Sequence, residues 1–92
     1  MRYVKVNGGT AVVKVEESYD LCNTLEVMSE LEQAFMNGCT KVRVDFTATT
    51  AIDSAAIHDL QKIQKRVRGE NFSMFGAKGE VKEKLKQAQL GG

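Results

Sequence analysis

Lys41-Val42-Arg43-Val44-Asp45-Phe46 alternates polar and apolar side chains, and Thr47-Ala48-Thr49-Thr50-Ala51-Ile52-Asp53-Ser54 carries it from small and β-branched residues into a polar pair. Alternation with period two marks a strand with one buried face. Thr47 to Ala51 reads as a loop leaving the sheet, and Ile52 as a return to the core. Beyond the bend, Ala56, Leu60, Ile63 and Val67 recur at helical spacing, so Asp53 is the predicted N-cap of a helix ending near Gly69. Ser54 then falls in the first turn, at the surface, beside backbone N–H groups with no intrahelical acceptor. This strand, bend and helix over 41–68 is the unit around which the chain is organised.

Upstream, Tyr3–Val6 and Ala11–Val15 are strand-like runs, and Asn7-Gly8-Gly9-Thr10 between them is a hairpin signal, because such residues tolerate the positive φ of a tight turn. Glu16 to Leu21 reads as an acidic crossing. A helix is predicted from Asn23, with Glu26 completing a capping box, Leu25, Met28, Leu31 and Phe35 as its buried face, and Gly38 at its end. Downstream, Asn71 to Phe75 is a fourth strand, Gly76 to Gly79 a turn, and Glu80 to Gln89 a helix with Val81, Leu85 and Ala88 inward. Leu90-Gly91-Gly92 should fray. The order is ββαβαβα: a single α/β domain over 1–92, its four-stranded mixed sheet antiparallel at the start and parallel afterwards, with right-handed crossovers. A sheet covered on both faces reads as continuously apolar strands. Here the strands alternate, which places the helices mainly on one face.

Ninety-two residues suffice for one core and leave little room for a deep cavity. The net charge of +1 gives no global bias toward nucleic acid or anionic membrane. It is unevenly spread, with five basic and eight acidic residues in 1–53 against eight and four in 54–92, which solvated helix faces account for. There is no signal-type apolar segment and no run of membrane-spanning length, so the expectation is a cytoplasmic protein without membrane insertion. Cys22 and Cys39 flank a helix that separates them by roughly 20 Å, too far for a disulfide, and read as small apolar fillers.

Chemistry by side chains of this chain has few places to reside. One histidine and two separated cysteines make no metal site, and no cofactor is expected. Ser54 and His58, four apart, are the one nucleophile–base pairing available, the basis of a small Ser/His hydrolase as a rival reading. Gly76-Ala77-Lys78-Gly79 lacks the spacing of a phosphate-binding loop. Lys62, Lys65, Arg66 and Arg68, with the lysines that follow, form a basic run without interleaved aromatic residues, so no nucleic-acid partner is expected.

The segment Val42 to Ser54 resembles the strand–loop–helix signature of STAS domains, specifically the anti-sigma factor antagonists. Tyr19-Asp20-Leu21-Cys22-Asn23 is similar to the acidic segment before that family's first helix. Asn71 to Phe75 and Glu80 to Leu85 are similar to its fourth strand and third helix. The resemblance implies a non-catalytic bacterial signalling module that binds an anti-sigma factor with serine kinase activity. It makes Ser54 the phosphorylated residue, with the partner supplying ATP, magnesium and the base. Asp53, Asp45 and Asp20 are then the cap and acidic patch around it, and Ala55, His58, Asp59 and Gln61 the candidate partner contacts. The domain is expected as a monomer or weak dimer. An adaptor that is never phosphorylated, for example a subunit of a lipid-transport or stress-signalling complex, is the alternative within the same family. A phosphoryl group adds ~1.5–2 negative charges, which the first turn of a helix tolerates while a docked partner is repelled.

Overall fold

The computed structural model describes residues 1–90; Gly91 and Gly92, for which fraying was expected, lie outside the described residues. Strands β1 (Val4–Asn7) and β2 (Thr10–Lys14) form the hairpin, joined by Gly8 and Gly9. The positive φ of 63° falls on Gly8, the first loop position, while Asn7 stays in the strand. Strand β3 (Glu17–Tyr19) leads into α1 (Leu21–Met36), β4 (Lys41–Asp45) is followed by β5 (Thr49–Ile52), and β5 leads into α2 (Ser54–Val67). A 3-10 turn (Gly69–Asn71), β6 (Phe72–Phe75) and α3 (Gly79–Gln87) complete the chain.

The main sheet has order β1-β2-β4-β6, with β1–β2 antiparallel and the β2–β4 and β4–β6 pairs parallel. This is the expected four-stranded mixed sheet. Its core face is Val4, Ala11, Val13, Val42, Val44 and Phe72, all buried, and α1 and α2 pack on it. The opposite face carries Lys5, Lys14, Lys41, Arg43 and Ser73, all exposed.

Two segments read as irregular are strands. Glu17–Tyr19 and Thr49–Ile52 pair with each other in parallel, outside the main sheet. Neither run is long enough to show a period of its own, and each is held by its partner. The register passes from Glu17↔Thr49 to Ser18↔Ala51, so Thr50 is skipped as a bulge, and Glu17 takes a φ of 64° opposite it. Thr49, buried, donates its hydroxyl to the Val15 carbonyl at 2.6 Å, which ties this small ladder to the end of β2.

The N-cap of helix α1 lies three residues earlier than its apolar pattern indicates. Asp20 is the N-cap and Asn23 completes the box, in place of Asn23 and Glu26. The buried face is Thr24, Val27, Glu30, Leu31 and Ala34. Leu25 is 81% exposed, while Met28 and Phe35 are half-buried. Glu30 replaces an apolar residue on that face because its carboxylate accepts the N–H groups of Tyr3 and Val4, at 2.8 and 2.9 Å, and so satisfies the start of β1. Both cysteines are free; Cys39 is buried as expected, but Cys22 is exposed. Leu90 is buried against the core instead of fraying, its N–H donating to the Leu85 carbonyl at 2.9 Å.

Candidate functional site

The short β3–β5 ladder fixes where both long helices start. Tyr19 pairs with Ile52, and the next residue in each strand is a helix cap, Asp20 for α1 and Asp53 for α2. The two N-termini therefore lie side by side. Asp53 serves both: one carboxylate oxygen accepts the Ala56 N–H at 2.9 Å, inside α2, and the other accepts the Leu21 N–H at 3.0 Å, the first residue of α1. A carboxylate between two helix N-termini sits in the positive field of both dipoles. Asp20 is committed to α1, accepting the Cys22 N–H at 2.9 Å and the Ser18 hydroxyl at 2.7 Å. Those two bonds, Ser18 first, hold its carboxyl below the usual carboxylate range.

Ser54 is the first residue of α2 and is exposed. Among the described residues its hydroxyl has no hydrogen-bond partner, and neither does the His58 ring one turn further on. Ala55 is half-buried. Asp59 is also half-buried and near enough to Tyr19 of β3 for its charge to act on that phenol; desolvation pushes its own carboxyl above the ordinary value, and Lys62, His58 and Asp53 modulate it. Tyr19 is wholly buried, and its hydroxyl has no partner among the described residues. Burial first, then the charges of Asp59 and Asp53, pushes the Tyr19 phenol upward. Gln61 leans the other way, its amide donating to the Ala88 carbonyl beside α3 at 3.4 Å. Of the candidate contacts, His58 is the one that points freely into solvent beside Ser54.

Asp45 does not join this cluster. Val44 and Phe46 point into the core, so the alternation of β4 sends Asp45 to the opposite face. There its carboxylate accepts the Thr47 hydroxyl and N–H at 2.6 and 2.8 Å. The Thr47 hydroxyl, then the Thr47 N–H, Lys14 and Arg43, hold the Asp45 carboxyl below the ordinary value. The acidic surroundings of Ser54 consist of Asp53, Asp20 and Asp59, two of them already engaged as caps.

The exposure of Leu21 and Leu25 beside these residues was not legible in the sequence. They are 69% and 81% exposed, one helical turn apart, and Leu21 is tied to Asp53 by its own N–H. The same stripe of α1 continues through Met28 to Phe35, where Arg66 of α2 stacks on the ring with its guanidinium 4.4 Å from the centroid and bonds Glu32. That contact identifies the stripe as the flank facing α2. Two leucines on such a flank match the core period, which is why the sequence alone assigned Leu25 to the interior. The mismatch between apolar pattern and burial is the signal that marks them.

The profile of the family described as STAS domain matches residues 2–92 of the chain. No curated protein matches it. Among solved structures, the anti-sigma factor antagonist SpoIIAA in its unphosphorylated form superposes with a TM-score of 0.75 at 11% identity, over 90% of this chain and 79% of that one. TM1081 from Thermotoga maritima, taken to be an anti-sigma factor antagonist, superposes in its crystal structure with a TM-score of 0.79 at 16% identity, over 94% and 76%. Its solution structure gives 0.80 at 17%, over 98% and 74%. At these identities the likeness is one of fold. No helix among the described residues is long and apolar enough to cross a membrane.

Proposed function

The chain belongs to the STAS domain family, and on that premise we propose that it is a non-catalytic signalling module of the anti-sigma factor antagonist kind, switched by phosphorylation of Ser54. The observation that carries the reading is the position of Ser54, exposed and unpartnered at the point where two helix N-termini meet over the Asp53 carboxylate. A partner protein, an anti-sigma factor with serine kinase activity, docks over this end of the molecule in the cytoplasm. Its footprint takes in Ser54, Ala55, His58 and the exposed Leu21 and Leu25, a mixture of apolar anchors and a polar centre.

Phosphorylation works here through charge. A phosphoryl group on Ser54 would add ~1.5–2 negative charges beside Asp53, Asp20 and Asp59. The N–H groups of the first turn of α2 and the dipole of that helix offset the added charge within the domain, so the fold survives. A partner seated on the same spot must bury the new dianion or leave. Differential binding of ~1–3 kcal/mol is the usual scale of such coupling, a change of roughly 5–150-fold in affinity.

The test is incubation with the cognate kinase, magnesium and ATP, followed by intact mass and by titration of the partner against both forms. One phosphoryl group, absent from Ser54→Ala, with weaker binding of the modified form, is the expected result. A phosphoryl group that persists in Ser54→Ala refutes the assignment. Equal affinity of both forms makes the protein an adaptor rather than a switch.

A further inference from the structure

The uncovered face of the sheet carries an excess of positive charge. All five Lys and Arg residues of the first 53 positions, Arg2, Lys5, Lys14, Lys41 and Arg43, are exposed and lie on it or at its margin. Only Asp45 and Glu16, of the eight acidic residues in the same stretch, share it. Those seven residues sum to +3 in a chain whose total is +1. The ion pairs among the described residues are Arg66–Glu32 and Lys84–Glu80, so none of the five cations is in a close ion pair there, although the charges of Lys14 and Arg43 act on the Asp45 carboxylate.

Register sets their spacing. Lys5, Val12, Arg43 and Ser73 stand in one row across the four strands, and Lys14, Asp45 and Phe75 in the next. Strands ~4.8 Å apart put Lys5 and Arg43 about 10 Å from each other, with the half-buried Val12 between them. A groove of about 650 Å³ opens over Lys5, Val12 and Lys14; Arg2, Glu16, Asp45 and Asn23 of α1 also line it, so three cations and two carboxylates share it. Cations outnumber carboxylates on this face, so the balance is repulsive, and an anionic occupant relieves that repulsion.

We propose that this face is a second docking surface, separate from the Ser54 end, and that it takes an extended acidic segment of a partner protein. Charge complementarity gives the sign, and two further features select protein over nucleic acid. Asp45 and Glu16 lie within the basic field, where evenly spaced phosphates would meet them, whereas a peptide can set its carboxylates over Lys5, Lys14 and Arg43 and neutral side chains over the two acids. The aromatic rings are also occupied: the Arg43 guanidinium covers Phe75 at 4.4 Å and Arg2 lies 5.3 Å from the Tyr3 centroid, which leaves no free platform for base stacking. Val12, apolar on the floor of the groove, suits one apolar side chain of such a segment.

The experiment is fluorescence anisotropy of the whole 92-residue chain with a short labelled poly-glutamate peptide, run beside an oligothymidylate of equal charge and phosphatidylserine vesicles. Binding of the peptide that weakens with salt, falls about tenfold in Lys14→Glu/Arg43→Glu and in Lys5→Glu/Lys14→Glu, and persists in Lys62→Glu/Lys65→Glu on α2, is the expected result. Far-UV circular dichroism establishes that each variant is folded, and two separate pairs of reversals guard against the failure of one. No binding of the peptide, or binding lost with the α2 reversals and kept with the sheet reversals, overturns the proposal. Tighter binding of the oligonucleotide or the vesicles, lost in the same sheet variants, replaces the acidic segment with that partner. Because Ser54 lies on the helical side, peptide binding unchanged in Ser54→Glu separates this surface from the switch.

Discussion

Replacing Asp53 by alanine removes two hydrogen bonds that hold different helices. Loss of the N-cap of α2, the 2.9 Å bond to the Ala56 N–H, costs about 1 kcal/mol. Loss of the carboxylate from the start of α1, where it accepts the Leu21 N–H at 3.0 Å, removes a further ~0.3–1 kcal/mol of charge–dipole stabilisation. The Leu21 N–H is exposed, so water replaces the lost acceptor and no burial penalty is added. The sum, about 1.3–2 kcal/mol, is a substantial part of the ~5–14 kcal/mol available to a chain of this length and leaves the domain folded. With a urea slope near ~1 kcal/mol per molar, the midpoint of unfolding should fall by about 1.3–2 M at unchanged slope. Asp53→Asn keeps one acceptor oxygen for Ala56 but turns an amide group toward Leu21, so it should fall about halfway. If Asn matches the parent while Ala drops by ~1 kcal/mol, the side chain serves α2 alone and the bridge between helices is refuted. If Ala stays within ~0.5 kcal/mol of the parent, neither bond matters.

Tyr19→Phe removes a buried hydroxyl that has no partner, so it should leave stability unchanged or raise it by about 1 kcal/mol in the same urea titration; a loss larger than that would reveal a bond to the phenol. The Asp59 carboxyl is raised in the folded state, so the fold holds its proton more tightly than the unfolded chain does. Ionisation of Asp59 therefore opposes folding, a penalty present above the ordinary value of 3.8 and absent well below it. Asp59→Asn should raise the unfolding midpoint at neutral pH and not at about pH 3; equal gains at both would assign the effect to something other than charge. Leu25→Ser, at a side chain 81% exposed, should move stability by less than ~0.5 kcal/mol yet lower partner affinity about tenfold by calorimetry. Unchanged affinity would remove the α1 flank from the docking footprint.

The main sheet, its mixed pairing and its single covered face were legible in Val42, Val44 and Phe46 and in the hairpin at Gly8-Gly9, because a two-residue period and a turn are local properties. The cap at Asp53 and the exposure of Ser54 were legible for the same reason, since four apolar residues at helical spacing fix where α2 begins. Local patterns failed where the determining partner is distant in sequence. Nothing near Glu17–Tyr19 announces a strand, because its partner lies some thirty residues on, at Thr49–Ile52. Glu30 could not be read as buried without knowing that two N–H groups of β1 wait for its carboxylate. Asp45 was grouped with Asp53 in the acidic patch that the resemblance implies, at the end of the strand before the bend, whereas strand alternation turns it to the face of the sheet away from the helices. The second hydrogen bond of Asp53, to Leu21, joins elements that only the β3–β5 ladder brings together.

That ladder is three residues long, yet it works as a spacing gauge. An extra residue between Ile52 and Asp53, or between Tyr19 and Asp20, would slide one helix start about 3 Å past the other and carry the shared carboxylate out of reach. Thr50 is different: it is already skipped in the pairing, so its deletion leaves Tyr19 opposite Ile52. Length variation among relatives of this chain should accordingly be permitted at the bulge and at the Gly8-Gly9 loop, and forbidden in the single steps that precede each helix.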